Sequence, residues 1–466
     1  MIVPDATLTP AKLMPRVVAL FEVSASKILD LHHTWNESAG TPVYTVGGRY
    51  TSRGWTEWTQ GFQFGSALLQ YDAADDDEFL EIGTEGTIRH MAPHVSHVGV
   101  HDHGFNNVST YGNILRLIHE GRLERDIWQE RYCELALKLS GAVQAARWTA
   151  LPNDLGFIYS FNGPHSLFID TMRSLRALAL AHRLGHVLMG EQDQRISLIS
   201  RLVKHAITTA RYNIYYGQGR DAYDVRGRTA HESIFNTANG SYRCAGTQQG
   251  YSPFSTWTRG LAWAILGYAE QLEFLDSLSE AQVDGVTAGN VAGKKAVVEA
   301  LLEAARAGAD FYLEHSPTDG IPYWDTGAPG LRSLGDYLGK PADPFNAFEP
   351  VDSSAASVAA QGLLRLGRYL EGRNPSGSFG AYTQAGLMIA QTLFDEPYLS
   401  RDSQHQGLVL HSLYHRPMGW DHIPCASRIP AGEATLWGDY HARELALYIK
   451  RLNGDGPYYT FWGPDE

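Results

Sequence analysis

The chain is patterned for helices along most of its length, because apolar residues recur three and four positions apart in one segment after another. This spacing predicts roughly twelve helices. Their expected positions are near residues 8–33, 58–71, 76–93, 107–120, 124–147, 166–184, 188–212, 256–275, 293–315, 352–371, 377–394 and 436–452. The turn-forming sequences that divide them include Asp75-Asp76-Asp77, Gly121, Gly185-His186 and Asn374-Pro375-Ser376-Gly377.

Strand patterns are scarce, and three long connections interrupt the helical rhythm. A short hairpin is expected within 228–245, with Asn239-Gly240 at its turn. The connections span 34–57, 213–255 and 395–435, and their richness in Gly, Trp, Tyr and His favours function over disorder. Consecutive helical hairpins with aromatic loops suit a closed double ring of helices in a single domain over 1–466. An open helical solenoid is the alternative.

The composition narrows the classes of partner. The chain has 466 residues with 51 acidic and 38 basic side chains, and its formal net charge of −13 speaks against a nucleic-acid partner. No run of about 18 apolar residues could span a membrane, and no secretory leader is evident. Three widely spaced cysteines make a disulfide framework or a cysteine-based zinc site unexpected. A soluble, cytoplasmic protein is therefore expected.

The first candidate for chemistry is His101-Asp102-His103-Gly104-Phe105, which leads from a loop into a helix. Asp102 has two interpretations. It is either an N-cap that accepts backbone N–H bonds or a carboxylate that binds sugar hydroxyls at the mouth of a helical ring.

The histidines at 90, 94, 97, 101 and 103 raise the question of a metal site. The pair at 97 and 101 has the spacing of a helical zinc site, but no His-Glu-x-x-His sequence is present and Gly99 interrupts the segment. We therefore predict no metal and place most of these histidines on the surface or in loops.

The second candidate is Asp170, in the sequence Asn162-Gly163-Pro164-His165-Ser166-Leu167-Phe168-Ile169-Asp170-Thr171-Met172. It is expected in the first turns of a helix. Its neighbours Phe168 and Ile169 are expected to desolvate the carboxylate and raise its pKa, as a general acid at neutral pH requires. The alternative is an aspartate that only complements the helix dipole.

The third and strongest candidate is the segment 249–263, which contains Gln249, Trp257, Arg259 and Trp263. Tryptophans stack on sugar faces, glutamine reaches hydroxyls, and arginine binds a carboxylate through two parallel hydrogen bonds. Ser255 or Thr256 is expected to cap the following helix, with Gly260 and Gly267 allowing another helix to approach. The alternative is that the two tryptophans are ordinary core residues.

Taken together, five short motifs resemble the unsaturated glucuronyl hydrolases, family 88 of the glycoside hydrolases. They are Trp58-Thr59-Gln60-Gly61-Phe62, the sequence 101–105, Ile169-Asp170-Thr171-Met172, the sequence 249–263 and Leu436-Trp437-Gly438-Asp439-Tyr440. Their order and approximate spacing hold from residue 58 to residue 440. The resemblance implies an all-α (α/α)6 barrel with long active-site loops and no cofactor, acting on Δ4,5-unsaturated uronyl oligosaccharides.

The same resemblance assigns roles to individual residues. Asp170 takes the place of the catalytic acid/base, and Asp102 that of a second essential aspartate. The residues that fall on or near the family's substrate-binding positions are Trp58, His101, His231, Gln249, Trp257, Arg259 and Trp263. His231 is placed only by its distance from Gln249 along the chain.

The sequence also departs from the family pattern. Gln63 stands where tryptophan is usual, His103 replaces a usual leucine, the segment 149–165 looks extended, and His441-Ala442-Arg443 follows the last motif. These departures leave the aglycone open, and the oligomeric state is not predicted. Rival hypotheses are an unsaturated rhamnogalacturonyl hydrolase of the same fold, a sugar epimerase or isomerase, and a non-catalytic carbohydrate-binding barrel.

Overall fold

A computed structural model describes residues 1–55, 57–373, 380–425 and 427–464. The described chain is mostly helical. Its helices are α1 (Pro10–Thr34), α2 (Gln60–Ala74), α3 (Asp77–His90), α4 (Ala92–Val95), α5 (His103–Asn107), α6 (Asn113–His119), α7 (Ile127–Ala146), α8 (Thr171–Ser174), α9 (Arg176–Arg183), α10 (Leu198–Tyr212), α11 (Thr258–Ser277), α12 (Glu280–Val283), α13 (Gly293–His315), α14 (Ser353–Arg373), α15 (Gly380–Leu393) and α16 (Leu436–Leu452). A π-helical turn, Val108–Gly112, joins α5 to α6.

Short antiparallel strands occupy the connections between the helices. They are β1 (Pro42–Val46), β2 (Arg49–Ser52), β3 (Trp148–Ala150), β4 (Gly156–Ile158), β5 (Ser166–Phe168), β6 (Leu188–Met189), β7 (Arg195–Ile196), β8 (Glu232–Phe235), β9 (Tyr242–Gly246), β10 (Thr287–Ala288) and β11 (Val291–Ala292). Strands β5, β8 and β9 form one three-stranded sheet, and the others pair as hairpins. The hairpin expected within 228–245 is confirmed as β8 and β9, and Gly240 lies in its turn with a φ of +70°.

The ends of the helices follow their capping chemistry. The Asp76 carboxylate accepts the backbone N–H of Glu78 at the start of α3, and Thr435 accepts that of Gly438 at the start of α16. Asp75 and Gly121 adopt left-handed backbone conformations at predicted turns. The expected turn at 374–377 lies outside the described residues.

The helices pack as a closed circuit. Helix α2 contacts α5, α5 contacts α8, α8 contacts α11, α11 contacts α14, α14 contacts α16, and α16 returns to α2. Six further helices each pack against a helix of this circuit, namely α1, α3, α7, α10, α13 and α15. One large apolar cluster includes residues from Ile2 to Trp462, and a smaller one is formed by Ile28, Ala67, Tyr71, Phe79 and Leu117. The mostly helical architecture expected from the sequence is therefore confirmed.

Buried ion pairs tie the circuit together at its centre. The Arg173 guanidinium lies 2.9 Å from the Glu270 carboxylate of α11 and 2.7 Å from the Glu444 carboxylate of α16. All three side chains are buried. Because breaking a buried pair leaves an uncompensated charge, these contacts fix the relative placement of α8, α11 and α16.

Three predicted helix starts are wrong. Residues 166–168 form strand β5, paired with β8, instead of the first turn of a helix over 166–184. Residues 188–196 contain the β6–β7 hairpin, so the helix predicted from 188 begins at Leu198. The helical segment predicted from 107 begins at His103.

The error at β5 has a clear physical cause, because a short apolar run that is buried throughout carries no periodicity that separates a strand from a helix. The β6–β7 hairpin is instead half-buried or exposed. Among the described residues, none of the helices is long and apolar enough to cross a membrane.

Candidate active site

A cavity of about 690 Å³ lies where several helices of the circuit begin. Trp58 precedes α2, Asp102 precedes α5, Asp170 precedes α8 and Trp257 precedes α11. The side chains that line the cavity are those of Trp55, Glu57, Trp58, Val100, His101, Asp102, Phe105, Phe161, Asp170, Gln248, Gln249, Trp257, Arg259, Trp263, Tyr414, His415, Met418 and Trp420. A larger cavity of about 930 Å³ lies against α10 and α13 and contains none of the predicted site residues.

The two aspartates are brought together by His101. Its Nε2 atom lies 3.1 Å from Oδ1 of Asp170 and 3.8 Å from Oδ1 of Asp102. All three side chains are buried, although Asp102 and Asp170 come from segments 68 residues apart in sequence (170 − 102). One imidazole thus faces both carboxylates at the base of the cavity.

The protein sets the pKa values of these three groups in different directions. Burial alone would raise the pKa of Asp170, but the hydrogen bond and charge of His101, together with His231, hold it below its usual value. Burial raises the pKa of Asp102, and the nearby Asp170 charge adds to the rise. Burial opposes protonation of His101, yet Asp102 and Asp170 raise its pKa overall. The opposite shifts of His101 and Asp170 favour the imidazole over the Asp170 carboxylate as the group that holds a proton.

This result corrects the expected pKa of Asp170. Its apolar neighbours were expected to raise that pKa, but the sign is opposite because His101 binds the carboxylate directly. Phe168 instead packs edge-on against the His101 ring, with centroids 5.7 Å apart. Asp170 immediately precedes α8 without a capping hydrogen bond from its side chain.

Asp102 does not serve as a helix cap. It stands at the N-cap position of α5, but its side chain makes no hydrogen bond to the first turn. The carboxylate is turned into the cavity beside His101 instead. The capping interpretation is therefore wrong for this residue.

Two hydrogen bonds fix the main chain of His101. Its carbonyl oxygen accepts hydrogen bonds from Oγ of Ser174 at 2.6 Å and from Nε2 of Gln144 at 2.9 Å. The ring lies between Phe161 and Phe168. These contacts prevent the imidazole from drifting away from the carboxylates.

The neighbouring histidines are mostly structural. His94 is buried and bonded to Gln60 and Asn106, and His103 is buried and bonded to Ser140 and the His97 carbonyl. The expectation of surface or loop positions is wrong for His94 and His103, which are buried in α4 and α5, whereas His101 is buried in the loop before α5. Within the described ranges, no group of three or more His, Cys, Asp or Glu side chains is arranged to hold a metal ion.

Arg259 is engaged by the protein itself. One terminal nitrogen binds the Asp352 carboxylate at 2.9 Å and the Leu413 carbonyl. The other binds Oε1 of Gln249 at 2.9 Å and the Tyr414 carbonyl. Arg259 thus lines the cavity and orients Gln249, and its terminal nitrogens already have protein partners.

The segment before α11 differs from the expected capping pattern. Trp257 is the N-cap residue, and it makes no capping side-chain hydrogen bond. Oγ of Ser255 donates to the Ser252 carbonyl, and Oγ1 of Thr256 accepts the backbone N–H of Thr229. The predicted cap at Ser255 or Thr256 is therefore wrong. The expected close approach at Gly267 is present, because an added Cβ would lie 2.7 Å from the Met172 carbonyl carbon of α8.

Tryptophans form one wall of the cavity. Trp58 packs against Trp437, with ring centroids 4.9 Å apart, and against Phe105. Trp263 packs on the other side of Phe105 at 5.0 Å. Trp257 and Trp263 are buried and also line the cavity. The core interpretation is therefore confirmed for them, and their role in substrate binding stays a prediction.

His231 does not line the cavity but supports it. Its ring packs against Phe168 and Trp257, and its Nδ1 atom accepts the backbone N–H groups of Gln248 and Gln249. Burial lowers its pKa to about 4, against the opposing charge of Asp170. His231 therefore acts on the site by holding the loop that carries Gln249.

Several lining residues were not singled out from the sequence. Glu57 and Tyr414 lie close to the predicted residues, and burial together with the Asp102 charge raises the pKa of Glu57. Burial lowers the pKa of His415 to about 4. These residues come from the long connections 34–57 and 395–435, whose aromatic composition was the available signal.

Comparisons with known proteins find relatives that cover most of the chain. No protein-family model matches the chain. An unsaturated glucuronyl hydrolase of Bacillus sp. (strain GL1) is 26% identical over 405 residues, which cover 85% of this chain and 87% of that protein. An unsaturated chondroitin disaccharide hydrolase of Streptococcus agalactiae serotype III (strain NEM316) is 23% identical, covering 84% of this chain and 81% of that protein.

Solved structures share the fold. The crystal structure of the unsaturated glucuronyl hydrolase from Bacillus sp. GL1 superposes with a TM-score of 0.68 at 22% identity, covering 97% of this chain and 99% of that one. A mutant enzyme of Streptococcus agalactiae complexed with dGlcA-GalNAc6S gives a TM-score of 0.63 at 18% identity, covering 99% of each chain.

The motifs, the fold and the curated relatives point in the same direction. Over most of its length the chain is similar to unsaturated glucuronyl hydrolases, which are glycoside hydrolases.

Proposed function

We propose that this protein hydrolyses Δ4,5-unsaturated uronyl oligosaccharides, the products of polysaccharide lyases, within a single (α/α)6-barrel domain. The observation that carries the proposal is the pairing of Asp102 and Asp170 through His101 beneath a tryptophan wall. The closed circuit of helix contacts supports the barrel. The relatives' names support the substrate class, as does the dGlcA-GalNAc6S in a structural neighbour.

The cavity suits a planar, anionic sugar. Indole faces stack on sugar rings, and Trp58, Trp257 and Trp263 supply them here. The N-terminal ends of α2 and α11 point their partial positive charge toward the same space, which favours a uronate carboxylate. Gln249 and the Arg259 that braces it lie on this side of the cavity.

The proposed reaction is hydration of the double bond. In the substrate, the C4=C5 bond is conjugated with the ring oxygen as an enol ether. The Asp170 carboxyl group gives its proton to C4, and the electron pair of the double bond forms the new C–H bond. The positive charge left at C5 is shared with the ring oxygen. The Asp170 carboxylate then takes a proton from the water that adds to C5, and the resulting hemiketal opens to a keto acid and the free aglycone.

His101 supplies the proton that Asp170 needs. The lowered pKa of Asp170 and the raised pKa of His101 keep the proton on the imidazole before reaction. The transfer runs along the 3.1 Å contact from Nε2 to Oδ1. Asp102, 3.8 Å from the same nitrogen, stabilises the imidazolium and is placed to bind the 2- and 3-hydroxyls of the sugar.

Replacing Asp170 with asparagine tests the proposal. Proton transfer from a positioned group contributes about 100- to 10,000-fold, so Asp170→Asn is expected to lose turnover on that scale while keeping its fold. Loss of the ultraviolet absorbance of the conjugated uronate measures the reaction, and circular dichroism checks the fold. Turnover close to that of the unmodified protein would refute the role of Asp170.

A panel of lyase products separates the remaining alternatives. Faster turnover on pectin-derived unsaturated disaccharides than on glucuronyl ones would assign the protein to the unsaturated rhamnogalacturonyl hydrolase type. The relatives named for glucuronyl and chondroitin substrates favour the opposite order. The relatives named as hydrolases support hydrolysis over the hypotheses of an epimerase or a non-catalytic binding protein.

A further inference from the structure

Helix α7 carries an apolar stripe that faces water. Trp128, Tyr132, Leu135 and Leu139 are 81%, 40%, 56% and 45% exposed. Their positions are separated by four, three and four residues, which is the spacing of the a and d positions in a helix–helix seam. The opposite face of α7, with Cys133, Leu137 and Ser140, is buried against the protein's own core. Within the stripe, the Tyr132 ring packs edge-on against the buried Tyr111 ring, with centroids 5.7 Å apart. The stripe is therefore a second apolar face of α7 that the described residues cover only in part.

The surroundings enlarge this surface. Ile127 is exposed at the start of the helix, and Met189 is exposed on the β6–β7 hairpin, which packs on α7. The two aromatic side chains of the stripe alone leave roughly 250 Å² in water. Monomeric proteins rarely expose contiguous apolar patches beyond a few hundred Å², and a stable interface buries about 800 Å² on each partner. With its flanks, the stripe approaches that size.

The charges along the stripe permit contact between two acidic molecules. From Arg125 to Lys138 the sequence carries three basic and three acidic side chains, whereas the whole chain carries a net charge of −13. Arg131 and Lys138 flank the stripe and both bind Glu134. Two copies meeting here would avoid the repulsion that the rest of the acidic surface would cause.

We propose that this surface joins two copies of the chain in a symmetric dimer, with α7 packed antiparallel against α7 of the partner. A two-fold axis that passes between Tyr132 and Leu135 places Tyr132 of each copy against Leu135 of the other copy. The same axis brings Trp128 against Leu139. An isologous contact of this kind needs a self-complementary stripe, and the near-palindromic spacing provides one.

The interface is separate from the active-site cavity. None of the stripe residues lines that cavity, and Trp128 is roughly 24 Å along the helix from Gln144, which supports His101. The dimer is therefore independent of the proposed hydrolysis, and removing it leaves the catalytic groups in place.

Sedimentation velocity of the full chain between about 1 and 100 µM tests the proposal. The unmodified protein is expected to shift from monomer to dimer as concentration rises. Leu135→Asp, and separately Trp128→Ser, are expected to remain monomeric over the whole range. Ile88→Asp is the matched control, because Ile88 is 57% exposed on helix α3. It is expected to dimerise like the unmodified protein.

Two results would overturn the proposal. One is an unmodified protein that stays monomeric up to the highest concentration. The other is a dimer that persists in both stripe variants, since it would have to use another surface. Circular dichroism and the melting temperature confirm that each variant is folded, and the exposure of the substituted side chains makes unfolding unexpected.

Discussion

At the scale of residues, the central feature is one imidazole shared by two buried carboxyl groups. The sequence placed His101 beside Asp102 and marked Asp170 as acidic and desolvated. It could not show that the His101 ring would lie 3.1 Å from Asp170, because that contact joins distant segments. The direction of the Asp170 pKa shift was mispredicted for this reason. The sequence neighbours of Asp170 control how far its carboxylate is desolvated, whereas the hydrogen bond from His101 decides whether its pKa rises or falls.

Substituting His101 tests the proton supply. In His101→Gln the side chain still donates a hydrogen bond but cannot titrate between pH 5 and 9. Turnover is expected to fall by roughly 100-fold. The alkaline limb of the pH profile is expected to move to lower pH. In the unmodified protein this limb follows His101, whose pKa is raised above about 6.5. In the variant the alkaline limb is expected to follow the titration of a carboxyl group.

The control for this substitution is His90→Gln, because His90 lies outside the cavity. It is expected to keep both the rate and the pH profile. Superimposable profiles for the His101 variant and the unmodified protein would show that His101 does not carry the proton.

At the scale of elements, the long periodic helices were the predictable part. Helices α13 and α16 match their predicted ranges, and the β8–β9 hairpin lies where Asn239-Gly240 indicated a turn. The short strand β5 was missed because Leu167, Phe168 and Ile169 are all buried and show no alternation. The sequence identifies the part of the cavity wall within 395–435 only as an aromatic loop. Irregular backbone produces no hydrophobic periodicity from which its structure could be predicted.

The loop 395–435 is attached to the circuit through Arg259. This residue of α11 binds Asp352 immediately before α14 and the carbonyls of Leu413 and Tyr414 in that loop. Both members of the Arg259–Asp352 ion pair are buried. One side chain therefore aligns two elements and a cavity wall.

Removing Asp352 tests this attachment. Asp352→Ala leaves the buried guanidinium without its counterion and is expected to lower the free energy of unfolding by about 3–5 kcal/mol. The matched control is Asp395→Ala, which breaks a solvent-exposed pair with Arg16 and is expected to cost no more than about 1 kcal/mol. Urea unfolding of the three proteins measures both values. Equal losses in the two variants would contradict the proposed role of the buried pair.

At the scale of the whole molecule, many histidines are buried in an uncharged state. Burial lowers the pKa of His94 to about 4 and that of His103 to about 3. The other side chains with pKa values lowered to about 3 or 4 are His205, His231, His411, His415 and His441. In the unfolded chain each histidine titrates near about 6.5.

Acid is therefore expected to destabilise the fold below about pH 6.5. There the unfolded state binds more protons than the folded state, so the free energy of unfolding decreases as the pH falls toward the folded pKa values. Each histidine contributes up to about 1.4 kcal/mol per pH unit. Asp319 and Asp325 act in the opposite direction, because burial raises their pKa values to about 6. They are outnumbered by the histidines.

Urea unfolding at pH 7.5, 6.0 and 5.0 measures this dependence. The steepest loss is expected between the last two values, and a His103→Asn variant is expected to show a shallower slope. Stability that stays constant or rises from pH 6.0 to 5.0 would contradict the assignment of buried neutral histidines.

The central claim is that a proton from Asp170 goes to the C4=C5 bond and that aglycone release follows from hydration. It is tested most directly by recording the initial rates of ultraviolet absorbance loss and of aglycone release in the same reaction. The account predicts equal rates with no lag, and loss of both in Asp170→Asn. Aglycone that appears ahead of the absorbance loss would mean that the glycosidic bond is cleaved with the double bond intact, and would contradict the account.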